Sequence, residues 1–135
     1  MKKTFQINQE WDIVAVRSEI RKVARQFGFD LLEQARIVQS VSELARNVVC
    51  YADRGLVQIE SLREKERVGL RFIVKDMGPG IADLEQVMKK MQTSTSVDSS
   101  GLQQVQKLMD DFTIRATEGK GTYVEVVKWL NVTSE

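Results

Sequence analysis

The sequence has no histidine. Imidazole therefore takes no part in its chemistry, and metal sites built on histidine ligands are excluded. A single cysteine, Cys50, leaves no partner for an internal disulfide, which suits a reducing compartment. Cys50 lies in an apolar helical pattern and is expected as a packed thiol. Neither sign of charge dominates, with 20 Lys and Arg against 19 Asp and Glu, so nothing favours broad attraction to nucleic acid or to a membrane surface. No apolar run approaches the length of a membrane span. Lys2-Lys3 resembles the start of a secretion signal, but residues 4–11 are polar and no apolar stretch follows. A cytoplasmic protein is expected. There is no internal repeat and no low-complexity linker.

The chain does have enough apolar residues, 42% of 135, to build a core, and its length suits one domain over 1–135. Thr4–Ile7 reads as a short strand. Ile13, Val16, Ile20, Val23 and Phe27 recur at helical spacing and predict a helix over about 12–27, ended by Gly28. Asp30, with Glu33 three residues on, reads as the N-cap of a second helix ending near Tyr51. Two strand-like runs follow, 56–60 and 68–75, around a charged tip at 63–67 that reads as a solvated loop. Ile81 to Met91 carries another helical stripe, 92–100 reads as a loop, and Leu102, Val105, Leu108 and Met109 mark a further helix. Residues 112–116 and 122–130 read as strands around a Gly-Lys-Gly turn. Two helices first, then strands alternating with helices, predict an α/β (α+β) two-layer sandwich with helices on one face of the sheet. The methionine stripes read as core.

Three constellations carry possible chemistry. Glu43 and Asn47 stand at i and i+4 of the second helix and share a face, about 6 Å apart along the axis. A carboxamide oxygen with phosphate oxygens and water can hold Mg²⁺, and a neighbouring carboxylate off the metal can take a proton from an attacking hydroxyl. Taken alone, the pair reads better as a solvated helix face with Arg46 in between. Asp76 ends an apolar strand and leads into Gly78-Pro79-Gly80. A carboxylate there can accept from the exocyclic amine of adenine, glycines let backbone approach a flat ring, and proline stiffens the turn. The same residues also make an ordinary structural turn. Gly119-Lys120-Gly121-Thr122 is the third, and by itself reads best as a hairpin turn.

The order Glu-x-x-x-Asn, strand ending Asp-x-Gly-x-Gly, loop, Gly-x-Gly-Thr resembles the GHKL (Bergerat-fold) ATPases, which include histidine-kinase catalytic domains, gyrase B, Hsp90 and MutL. Within them the chain resembles the small anti-sigma-factor serine kinases, and most of all the RsbT-like switch kinases of the stressosome. Residues 10–15, 34–37, 42–47 and 128–130 carry that resemblance. It implies a mixed, mostly antiparallel sheet, Mg-ATP as the cofactor, Glu43 as general base, Asn47 as the Mg²⁺ ligand, Asp76 on adenine with Gly78, Gly80 and Ile81 shaping the pocket, and Thr122 supporting the adenine side. A glutamate at 43, where histidine kinases usually have asparagine, implies phosphorylation of a hydroxyl. The implied partners are a STAS-domain antagonist as substrate and a PP2C-type phosphatase activated afterwards; a sigma factor is a further candidate.

The phosphate loop departs from that family's Gly-x-Gly-x-Gly-Leu. Here the stretch reads Val97-Asp98-Ser99-Ser100-Gly101-Leu102, and only Gly101 and Leu102 match. Val97 resists positive φ, and Asp98 adds negative charge where phosphates would sit. Two outcomes stay open. Hydroxyls of Ser99, Ser100, Thr93 and Thr95 replace the lost amide contacts in a slower kinase, or the protein is a catalytically weak or inactive switch and anti-sigma binding module.

Overall fold

The computed structural model describes residues 1–52, 54–76, 100–117 and 121–130. The helix expected at 81–91 lies outside them. Strand β1 (Lys2–Ile7) is followed by helices α1 (Glu10–Phe27) and α2 (Leu31–Tyr51), strands β2 (Gly55–Glu64) and β3 (Arg67–Asp76), helix α3 (Ser100–Leu108), and strands β4 (Asp111–Thr117) and β5 (Gly121–Trp129).

The two long helices begin and end where local chemistry directs. The Asp12 carboxylate reaches back to the amides of Asn8 and Gln9 at 2.9 and 3.1 Å, which lets α1 start two residues before the expected position. Gly28 closes α1 in the left-handed region at φ 116°. Asp30 caps α2 by accepting from the Glu33 amide at 2.8 Å.

The sheet order is β1-β2-β3-β5-β4, and all four ladders are antiparallel. Alternation along the strands sends Ile7, Val57, Ile59, Leu70, Phe72, Val74, Val124 and Val126 to one face, where they pack in a single cluster with the apolar stripes of α1 and α2. The opposite face is mixed, with Ile73, Val127 and Trp129 buried among polar and charged side chains. It carries the Arg71–Glu60 pair, and Tyr123 donating to Glu125 at 2.8 Å with Lys75 and Arg115 over its ring. Burial, then the bond to Glu125, raises the Tyr123 phenol above its usual pKa.

Two expectations need correction. The charged tip is not a five-residue loop: the β2–β3 ladder continues to Glu64 opposite Arg67, leaving a turn at Lys65-Glu66 with Lys65 at φ 55°. Glu64 and Arg67 form an ion pair at 3.1 Å, so these charged side chains stay in solvent while their backbones pair. Cys50 is exposed rather than packed. It lies two residues past buried Val48, which puts it on the outer side of the last turn of α2.

Candidate active site

Glu43 and Asn47 stand one turn apart in α2, both half-buried, while Leu44, Ala45 and Val48 turn into the core. Buried Ser42 is satisfied within the helix, its hydroxyl donating to the Val38 carbonyl at 2.5 Å. Glu43 Oε2 lies 3.7 Å from Arg46 Nη1, and the Arg46 side chain is 58% exposed. Such a pair is weak in water, so Arg46 does not lock the carboxylate.

The stronger constraint on Glu43 comes from α3. Its carboxylate lies over Gly101 in the first turn: a Cβ at that position would overlap Oε1 and reach Cδ at 3.0 Å. Only glycine permits this approach. The partial positive charge of a helix N-terminus favours a carboxylate there. Val105, fully buried, and Leu102, packed against the core, seat the apolar side of α3.

Asp76 ends β3. Its Oδ1 accepts from the Thr122 amide at 3.1 Å, so Thr122 reaches it through backbone. This contact depends on Gly121, at φ 105°, where a Cβ would overlap the Asp76 carbonyl oxygen and lie 3.3 Å from Oδ1. The Thr122 amide thus helps to orient the Asp76 carboxylate.

Gly55 joins the two halves. A Cβ on it would lie 2.7 Å from Val48 Cγ1 and 3.3 Å from Asp76 Cα, so the helix segment just after Asn47 and the strand end at Asp76 meet across one glycine. The structure thus brings Glu43, Gly101 and Leu102 together, with Asn47 on the same helix face, and brings Asp76 to Thr122. Ser100 opens α3. Gly78, Gly80, Ile81, Thr93, Thr95, Val97, Asp98 and Ser99 lie outside the described residues. Gly55 and Gly121 were not among the site residues expected from sequence. Gly121 stood inside the Gly-x-Gly-Thr spacing, but only a tertiary contact gives it a task.

Among the described residues no three His, Cys, Asp or Glu side chains cluster to hold a metal, and the donor implied by the resemblance is the Asn47 carboxamide oxygen. Such an oxygen suits Mg²⁺ rather than softer metals. A carboxylate held at a strand end, with glycine backbone close by, fits adenine.

Comparison with known proteins shows the class to which this fold belongs. Residues 5–128 match the histidine kinase-like ATPase domain family, and the chain belongs to that family. It is 42% identical over 124 residues to the serine/threonine-protein kinase RsbT of Bacillus subtilis, covering 92% of this chain and 93% of that protein. It is 31% identical over 102 residues to an anti-sigma F factor of Clostridium beijerinckii, covering 70% of each, and 27% identical over 120 residues to one from Thermoanaerobacter sp., covering 84% and 82%. A mycobacterial sensor histidine kinase, MprB, shares the fold at a TM-score of 0.55 and 15% identity, over 96% of this chain and 97% of that one. No helix among the described residues is long and apolar enough to cross a membrane.

Proposed function

We propose that this chain is a cytoplasmic serine/threonine protein kinase that uses Mg-ATP to phosphorylate a STAS-domain antagonist protein. Once released from that complex, it activates a PP2C-type phosphatase in a partner-switching stress response. The observation that carries this reading is the Glu43 carboxylate, one turn from Asn47 and against the first turn of α3. The relationship to a named serine/threonine-protein kinase supports it.

In the transfer, Glu43 accepts the proton of the substrate hydroxyl as its oxygen attacks the γ-phosphorus. The bond from that phosphorus to the β–γ bridging oxygen breaks, and ADP leaves. Asp76, oriented by the Thr122 amide, holds the adenine amine, and the first turn of α3 directs its amides toward the phosphates. When bound on Asn47, Mg²⁺ neutralises phosphate charge. Exposed apolar side chains on the helical layer, Trp11 and Val14 on α1 and Leu31 and Leu32 on α2, suit a surface that docks protein partners.

The test is phosphate transfer from labelled ATP to a purified STAS-domain protein, with mass spectrometry of the product. Phosphoserine or phosphothreonine on that protein supports the kinase. Stable, nucleotide-dependent capture of a sigma factor with no transfer favours the second reading, an anti-sigma binding module, which kinship with anti-sigma F factors keeps in view.

Gly101→Ala separates stability from chemistry. Alanine is the better helix former by about 1 kcal/mol, so Tm is expected to hold or rise. The added methyl must push the Glu43 carboxylate aside, so phosphate transfer is expected to fall by about tenfold or more. A full-rate Gly101→Ala protein would show that the placement of Glu43 against α3 does not matter.

A further inference from the structure

Lys128 is the only charged residue in the buried class among the described residues, and nothing in the proposed chemistry uses it. It follows Val124 and Val126 on the helix-facing side of β5. Its Nζ lies 2.9 Å from Glu33 Oε2, in the first turn of α2, and 3.6 Å from Asp110 Oδ1. It also donates to the Leu108 carbonyl at 2.9 Å. Asp110 is itself held by β5: its amide donates to the Val127 carbonyl at 3.0 Å, and its Oδ2 accepts from the Trp129 amide at 2.7 Å.

Leu108 is the last residue of α3, and its carbonyl is one that a helix leaves without an internal partner. The ammonium supplies that partner, with the sign the helix dipole favours. Helices α2 and α3 are therefore joined at two places. At one, Glu33 and Leu108 share the Lys128 ammonium; at the other, Glu43 lies over Gly101. Gly101 and Leu108 are about 10 Å apart along a helix axis. That is two turns of a short helix, which moves as a rod.

We infer that Lys128 is a positioning residue. By clamping the C-terminal end of α3 to the first turn of α2 and to β5, it sets how far α3 stands along α2, and so the pose of Gly101 against the Glu43 carboxylate. The inference rests on the reading of Glu43 as the base for its catalytic consequence; the clamp itself does not.

The experiment uses the full chain carrying Lys128→Met, with three readouts: amide exchange in α3, ADP affinity, and the kcat of phosphate transfer to a STAS-domain protein. Expected are exchange in α3 faster by about tenfold or more with the middle of α2 unchanged, ADP affinity within about twofold of wild type, and kcat lower by about tenfold or more. Should Lys128→Met fail to fold because Glu33 Oε2 loses its cation, Arg36 reaching only Oε1 at 2.7 Å, the double variant Glu33→Gln, Lys128→Met removes that charge and keeps the same three expectations. Unchanged α3 exchange in a folded variant overturns the clamp. Loss of kcat in step with ADP affinity overturns the positioning role in favour of a general structural one. If wild type transfers no phosphate, the kinase reading fails separately, and α3 exchange alone decides the clamp.

Discussion

Asp76→Asn is expected to weaken binding of ATP and ADP by about 100-fold in calorimetry. The substitution is nearly isosteric, and asparagine keeps a carbonyl oxygen that can accept from the Thr122 amide as Asp76 Oδ1 does at 3.1 Å. The strand end and its contact with β5 should therefore survive, with Tm close to wild type. What changes is the remainder of the group. On the proposed reading, the anionic acceptor for the adenine amine becomes an amide that presents two N–H donors, so a charge-assisted bond is replaced by donor against donor. Hydrogen bonds to charged groups contribute about 1.5–3 kcal/mol, and an unmatched donor adds its own desolvation cost, which together give about 3 kcal/mol or a factor of 100. Undiminished nucleotide binding by the folded variant would remove Asp76 from the adenine site.

Glu43→Gln is expected to lower the kcat of phosphate transfer by about 10²–10⁴-fold, the usual range for loss of a general base. Glutamine keeps the shape that lies over Gly101 and forfeits only proton acceptance and charge. Nucleotide affinity should stay within about twofold, because Asp76 and Asn47 are untouched. That split identifies an interaction made in the transition state and not in the ground state. Arg46 offers an internal control: its pair with Glu43 at 3.7 Å is largely solvated, so Arg46→Gln should change the rate far less than Glu43→Gln. A rate retained by Glu43→Gln would assign proton removal elsewhere.

Much of the fold was legible along the chain because the signals are local. The spacing of Ile13, Val16, Ile20 and Val23 gives one helix face, Gly28 stops it, and Asp30 caps the next helix from three residues away. The strands at Val57, Ile59 and Leu70, Phe72, Val74 follow from alternation. The tip at 63–67 was misread because a run of charge looks like loop, whereas an exposed hairpin can pair its backbone and leave every charged side chain in water. Cys50 was misread because an apolar neighbourhood in sequence spans both faces of a helix.

The residues expected at the site, Glu43 with Asn47 and Asp76 with Thr122, were named from order and spacing together with family resemblance. By itself the sequence determined the periodic faces and the caps, which depend on residues within a few positions of one another, and the absence of imidazole, which is a matter of composition. Only the tertiary structure decided that Gly101 lies under Glu43, that Gly121 lets Thr122 reach Asp76 across 46 residues, and that Lys128 joins α2 to the end of α3. Those contacts arise where sheet order puts β5 beside β3 and where buried Val105 seats α3 near α2. The physical reason is that contact across such separations is set by which apolar faces find each other in the core, and local propensity holds no record of that choice.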